Sequence, residues 1–410
     1  MKVMLFVLLI EAMLSSFFKT VIDPEYLVFV YLLINTVVLI IWFNVKAEGD
    51  KWLFAILVGG LYLRLGALVY DINIARLPFN TADAQRFHAL AVETANALPD
   101  VLLEHFTGFY SQVLGIIYYI FGPYLYWGHF FNILFVMLAA TKLLDIAKLM
   151  NLNLINKRIM IAIWLFAPIP FLMGHALLRE ASMYYFVVLS IYHFLKWFEK
   201  YNILHMIIAI IAVYIGSRYH EGLVVIAVPY LYAFIFYDRQ KNKIKMNALN
   251  IACMTTAFIV FLVFIGSEAG QEYIQKTNAE TGGGSAYLTN LKVETPIEFL
   301  FAGPIKAVFL VSSPMPWLVR NPMDIITLLL DSSLWIYTTY LFVKNYKTID
   351  SRYKLLMLCI ILGGFVYGMG TLNTGTAIRH RNKLMAFTLV LMMAIKNKVD
   401  LDYEKREMIE

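Results

Sequence analysis

Short clusters of ionisable residues interrupt an otherwise apolar chain of 410 residues. The first is Asp83-Ala84-Gln85-Arg86-Phe87-His88. On a helix Asp83, Arg86 and Phe87 share a face, because residues three and four apart are neighbours there. An acid, a base and an imidazole within one turn could position a sugar or activate a hydroxyl. The same residues also read as a helix start, with Thr81 or Asp83 as the cap and His88 in solvent. The second cluster, His175-Ala176-Leu177-Leu178-Arg179-Glu180, opens a long apolar run. An Arg-Glu pair beside a membrane helix costs desolvation energy unless it is paired or hydrated. Arg179 is therefore read as a phosphate ligand, with Glu180 orienting it or acting as base; the competing reading is a local ion pair that fixes the helix end.

The third cluster, Ser217-Arg218-Tyr219-His220-Glu221, lies between two apolar runs with almost no loop. Arg218, His220 and Glu221 then face a bundle interior or a polar cavity, or form a tight polar hairpin at the interface. The fourth is Arg379-His380-Arg381, followed by Asn382 and Lys383, with Arg320 near a comparable edge. A pyrophosphate would offset these cations through charge-assisted hydrogen bonds; anchoring to lipid headgroups is the alternative. The clusters place Asp83, Glu180 and Glu221 as candidate catalytic carboxylates. Arg86, His88, Arg179, Arg218, His220, Arg320, Arg379, His380 and Arg381 are candidate substrate-binding groups.

The elements that carry these clusters follow from composition. The chain is 60% hydrophobic and 15% charged, with a mean hydropathy of +0.69. A soluble domain of this length needs far more polar surface. Apolar runs near the bilayer-spanning length of about 20 residues recur from end to end. They predict about twelve crossings, at about 3–18, 25–43, 52–70, 125–145, 157–173, 181–198, 203–219, 221–237, 248–266, 322–343, 355–372 and 382–396. Segments 106–122 and 304–319, the second broken by Pro304, Pro314 and Pro316, read as re-entrant or interfacial. The expected fold is an all-α polytopic bundle in one integral membrane domain, 1–410, with outer loops at about 71–124 and 267–321 covering the site. The first run, Val3 to Phe18, lacks a small-residue cleavage pattern and reads as a retained helix. Gly282-Gly283-Gly284-Ser285 reads as flexible chain.

Lysines set the sidedness. Lys46 and Lys51, Lys148 and Lys157, Lys196 and Lys200, Lys241 to Lys245, Lys344 to Lys354 and the tail from Lys396 fall on one side of the predicted spans. That side is cytoplasmic by the positive-inside rule, as are both termini. Arg76, Arg86, Arg179, Arg218, Arg320, Arg379 and Arg381 fall on the other side, and Arg64 lies within a helix. Positive charge inside does not explain an outward bias of arginine, the better residue for bidentate contact with phosphate or carboxylate. An anionic ligand presented from outside does. The net charge of +6 sits in short loops, so nucleic acid is not expected as a partner. Cys253 and Cys359 both lie in apolar runs, which argues against a disulfide framework or a Cys-based metal site. No P-loop, His/Cys metal spacing, nucleophile elbow or dinucleotide fingerprint is present in the sequence.

A first outer loop with Asp83 is followed by Tyr110–Gly122, ending in Phe-Gly, then by Asn132–Leu149. A helix ending in Ala167-Pro168 comes next, and then the Leu177–Glu180 stretch. This order resembles the GT-C superfamily of polytopic glycosyltransferases. The Leu-Arg-Glu element, the outer arginines and the lack of a large outer domain also resemble Wzy-type repeat-unit polymerases of bacterial surface polysaccharides. The resemblance covers roughly residues 75–200 and 370–396. It implies transfer of a glycan from a polyprenyl-diphosphate carrier to an acceptor sugar hydroxyl, in a bacterial inner membrane, with export and chain-length proteins as possible partners. Asp83 would match the first-loop acid, and Arg179, Arg218, Arg379 and Arg381 the arginines that hold the diphosphate. The GT-C pattern often has two adjacent acids where Asp83 is followed by Ala84. A metal-independent reaction with no cofactor is therefore favoured, a divalent metal remaining open. The rival classes are a transporter or flippase of lipid-linked or anionic solutes and an assembly protein that binds headgroups.

Overall fold

Inside a bilayer, backbone N–H and C=O groups must pair within the chain, and an apolar run does this most simply as a helix. The computed structural model describes residues 2–18, 24–106, 108–279, 285–291 and 293–407. These are helical apart from loops and one two-residue antiparallel pair, Tyr237–Asp238 with Lys243–Ile244. Of the glycine-rich stretch, Gly282, Gly283 and Gly284 lie outside the described residues. The chain forms two compact units. Unit 1 is Met1–Lys148 with Lys157–Phe186, and unit 2 is Leu149–Asn156 with Val187–Glu410.

In chain order the first helices are α1 (Lys2–Phe18), α2 (Pro24–Ala47), α3 (Lys51–Asn73), α4 (Ala82–Ala97), α5 (Phe109–Phe121) and α6 (Leu125–Leu149). They continue with α7 (Leu154–Phe166), α8 (Pro168–His175), α9 (Glu180–Lys200), α10 (Ile203–Tyr219), α11 (Ala227–Phe236), α12 (Ala248–Gly266) and α13 (Glu268–Ala279). The last are α14 (Pro296–Ser312), α15 (Pro322–Ile326), α16 (Ser333–Asn345), α17 (Ser351–Met369), α18 (Thr374–Asn382) and α19 (Met385–Glu407).

Among the described residues, 6 helices are long and apolar enough to cross a membrane: Tyr26–Ala47, Lys51–Asn73, Leu125–Leu149, Ala248–Gly266, Pro322–Asn345 and Ser351–Met369. The bent pair α7 and α8 makes up to 7 if it counts as one span. These match the expected crossings at 25–43, 52–70, 125–145, 157–173, 248–266, 322–343 and 355–372. The other expected crossings are helical but less suited to spanning. Helices α1 and α10 have 17 residues each. Helix α9 carries Glu180, Lys196, Glu199 and Lys200. Segment 221–237 divides into a 3₁₀ turn, Glu221–Ile226, and the short α11. Segment 382–396 begins in the last residue of α18, and the second half of α19 is charged.

Within unit 1 the bend between α7 and α8 is 53°. Pro168 supplies no N–H, so carbonyls of the preceding turn lose their helical partners. Arg64, fully buried on α3, donates from Nη1 to the Leu165 carbonyl at 2.8 Å. Its guanidinium also lies over the Phe171 ring, 4.7 Å from the centroid. At the far end of α3, Asp50 caps the helix through the N–H groups of Trp52 and Leu53 at 3.0 and 3.2 Å. The same carboxylate accepts from Arg158 Nε and Nη2 at 2.9 and 2.8 Å.

Of the segments expected to be re-entrant or interfacial, 106–122 holds the 13-residue α5 and 304–319 holds the second half of α14. Helix α5 packs against α4, and Gly115 makes this approach possible: a Cβ there would lie 2.6 Å from Cβ of Thr94. Helix α14 begins with a capping box between Thr295 and Glu298 and runs through Pro304. A 3₁₀ turn, Pro316–Leu318, follows it. Within unit 2 the loop residues after the glycines pair with the entry to α18, Tyr287 N–H donating to Leu372 O at 2.8 Å and Thr374 N–H to Ser285 O at 2.9 Å.

Candidate functional site

Each unit holds its own polar centre. In unit 1 the segment Ala176–Leu178, between α8 and α9, is irregular, and its carbonyls need donors. Asn132 on α6 donates from Nδ2 to Ala176 O at 2.6 Å and to Leu178 O at 3.0 Å. The Tyr110 hydroxyl donates to Asn132 Oδ1 at 3.1 Å and so fixes which way the amide points. This clamp sets the start of α9. Glu180 is buried there, and Arg179 is half-buried with its guanidinium over the Phe87 ring, 6.0 Å from the centroid. Phe87, Arg86, Asp83 and His88 all belong to α4. Asp83 and Arg86 are exposed. His88 Nδ1 lies 2.9 Å from the Tyr118 hydroxyl. Burial, and then the charge of Arg76, push the His88 imidazole below its usual range, so it is neutral at neutral pH. Thr81 occupies the cap position of α4 but makes no side-chain cap bond.

Beside this face lies a buried polar cluster. Asp71, at the end of α3, accepts hydrogen bonds from the Leu77 N–H and the Asn80 side-chain amide. Arg76 Nη1 is 3.5 Å from Asp71 Oδ2. His129 on α6 places Nε2 3.4 Å from the same oxygen, and its Nδ1 donates to the His175 carbonyl at 3.0 Å. The His175 ring stacks on His129, with centroids 4.9 Å apart. Among the described residues neither ring nitrogen of His175 has a hydrogen-bond partner, although the residue is fully buried.

In unit 2 three rings meet. His220, the C-cap of α10, is 5.3 Å from Tyr367 on α17 and 5.2 Å from His380 on α18, centroid to centroid. Tyr367 and His380 are themselves 5.3 Å apart. His380 Nδ1 is 3.0 Å from the Thr371 hydroxyl, and Lys383 Nζ lies 4.9 Å from the Tyr367 ring centre. A glycine is required at 222, because a Cβ there would lie 2.7 Å from Tyr367 Cε1. His220, Gly222, Tyr367 and His380 line a cavity of about 910 Å³. Its polar groups are His220, Glu221, Tyr367 and His380, and the rest of its wall is apolar, including Phe258, Phe261 and Phe365.

The residues expected to act together come from both units. Asp83, Arg86, His88, Arg179 and Glu180 belong to unit 1; Arg218, His220, Glu221, Arg320, Arg379, His380 and Arg381 belong to unit 2. His220, Glu221 and His380 line one cavity. Arg218 and Arg320 are exposed, and the Arg320 backbone N–H donates to Asp324 Oδ2 at 3.1 Å. Arg381 is fully buried and donates from Nη1 to Val311 O at 3.2 Å, to Ser313 O, and to Ser332 Oγ at 2.9 Å. Sequence reasoning passed over Asp71, Asn80, His129 and Asn132. Asp71 sits one residue beyond the expected crossing at 52–70, and His129 and Asn132 sit inside another. The usable signal was the rule that ionisable groups in a membrane span face the interior.

No family model matches this chain, and no curated protein or solved structure is significantly similar to it.

Proposed function

We propose that the protein is a membrane glycosyltransferase that takes a glycan from a polyprenyl-diphosphate-linked donor and passes it to an acceptor sugar, as a repeat-unit polymerase. The supporting observation is the unit 2 cavity. Its apolar walls suit an isoprenoid chain, and His220, His380 and the exposed Glu221 are among its lining residues. A lipid diphosphate has that division: an apolar tail beside an anionic head. In the reaction the acceptor hydroxyl attacks the anomeric carbon, and the bond from that carbon to the diphosphate oxygen breaks. The electron pair leaves on the diphosphate, where fixed donors and cations stabilise it, and a carboxylate takes the hydroxyl proton. Glu221 is the base within reach of this cavity. By the GT-C resemblance Asp83 is the other candidate, on the outer loop of unit 1.

The topology proposed with this reading is a bacterial inner-membrane protein of about twelve crossings with both termini in the cytoplasm and the glycan site on the outer face. The test is a series of Glu221→Gln, His380→Ala, Asp83→Asn, Arg179→Ala and Arg379→Ala variants, scored for glycan chain length on the carrier lipid in membranes with confirmed expression. Removal of the base is expected to lower polymer by about 10²–10⁴-fold and leave unpolymerised lipid-linked units. An unchanged glycan pattern in all five variants would sink the enzyme reading.

A transporter reading has one observation in its favour. The break at Pro168 interrupts an apolar helix pair next to the buried charge of Arg64, and broken helices frame transport sites. In the same series it predicts fewer lipid-linked units on the outer leaflet, with normal chain lengths on those that arrive.

A further inference from the structure

We propose that Asp71, His129 and His175 bind one divalent transition-metal ion of the zinc class in the interior of unit 1. The three side chains are fully or almost fully buried, and one ligand atom from each lies within 4.8 Å of the other two. The Asp71 Oδ2 to His129 Nε2 separation is 3.4 Å. Tetrahedral coordination with bonds of about 2.0–2.2 Å sets ligand atoms about 3.4 Å apart, so this edge already has its final length. His175 stacks on His129 at an interplanar angle of 26°, so its ring must swing out of the stack to direct a nitrogen at the ion.

The outer partners are those a metal ligand needs. A carbonyl can only accept, so the 3.0 Å contact between His129 Nδ1 and His175 O places the proton on Nδ1. In the neutral ring Nε2 then carries the lone pair, 3.4 Å from Asp71 Oδ2 and 3.5 Å from Asn80 Nδ2, and a backbone carbonyl on the other nitrogen is how metal-binding histidines are held. Asp71 is oriented in turn by the Leu77 N–H and the Asn80 amide. His175 supplies the observation that a purely structural cluster leaves unexplained. A fully buried imidazole with no protein partner at either nitrogen is a rare arrangement. A metal bond to one nitrogen removes half of that deficit.

Two imidazoles and one carboxylate select zinc-class ions over magnesium or calcium, which take oxygen ligands. Two cations oppose the ion: Arg64, buried and acting on His175, and Arg76, whose guanidinium is 3.5 Å from Asp71 Oδ2. The Arg76 side chain is 47% exposed, so it can withdraw into solvent when the ion enters. The site lies in unit 1 and does not depend on the transferase reading.

The experiment uses tag-free full-length protein in detergent, stripped with a chelator and titrated with Co²⁺, read by visible d–d absorption and by metal content after desalting. One Co²⁺ per chain, displaced by Zn²⁺, is expected. His175→Phe, which keeps an aromatic ring in the stack, is expected to weaken binding at least 10-fold, and Arg76→Ala to tighten it or leave it unchanged. Wild-type protein that binds no Co²⁺ would overturn the proposal without reference to any variant. So would stoichiometric binding that persists unchanged in His175→Phe and Asp71→Asn, because the ion would then sit elsewhere.

Discussion

Arg379 and Arg381 read alike in the sequence and differ in the folded chain. Residues two apart on a helix point to different sides. Arg379 is half-buried, whereas Arg381 turns fully inward and ties the end of α14 to a π-helical segment, Thr327–Ser332. That segment brings Asp331 and Ser332 into the interior. Burial pulls the Arg381 guanidinium down to about 10, opposed by the charge of Asp331, so it is still a cation at neutral pH. Arg381 is therefore a structural residue, and the diphosphate role proposed for the cluster passes to Arg379 and His380. Arg381→Ala leaves acceptors and a carboxylate without their cation, a change that costs about 3–5 kcal/mol. The expected result is a clear drop in melting temperature in detergent, while Arg379→Ala melts close to wild type. Equal melting of the two variants would remove the distinction.

Elements are placed by their ends as much as by their apolar faces. Asp50 caps α3 and clamps α7 through Arg158, so one carboxylate fixes two helices of unit 1. The Arg158 hydrogen bonds hold this carboxyl below its usual range, against the effect of burial. A carboxylate with a depressed folded pKa contributes stability above its unfolded pKa, near 3.8–3.9, and loses it as pH falls through the folded value. The α3–α7 junction should therefore be fully formed at neutral pH and loosen only below about pH 4. Asn caps a helix about as well as Asp, so Asp50→Asn should melt lower at pH 7 only by the lost charge interaction with Arg158. It should then converge with wild type in acid; a constant gap across pH would show that the charge is not what matters. Seven of the expected spans, counting the bent pair α7 and α8 as one, were legible in the sequence, because length and apolarity are local properties of the chain. The unit 1 cluster was not, because Asp71, His129 and His175 come from three helices whose crossing geometry no local pattern encodes. Nor did the apolar pattern foretell that 221–237 would divide, since a 3₁₀ turn and a helix share the same composition there.

At the scale of the whole molecule, apolar surface and charge together decide how the chain sits in a bilayer. Most side chains of α12 are exposed, Phe258, Val260 and Val263 among them, which suits a helix bathed in lipid tails rather than water. In unit 1 sidedness can be tested across a single span. Helix α3 has 23 residues, about 35 Å at a rise of about 1.5 Å each, enough to cross the hydrocarbon core. The turn at Glu48 and the loop that follows Asn73 must then lie on opposite faces. Lys46, Lys51, Lys148 and Arg158 gather at the first, which the positive-inside rule assigns to the cytoplasm. Both native cysteines can be replaced by serine, and a single cysteine placed either at Glu48 or at the exposed Leu102. An impermeant maleimide applied to intact cells should label Leu102→Cys and reach Glu48→Cys only after permeabilisation. The reverse pattern would put Asp83 and Arg179 on the nucleotide-rich side and favour a donor other than a lipid-linked glycan. Labelling of both from outside would mean that α3 does not cross, and that the buried Arg64 lies in a protein interior rather than at membrane depth.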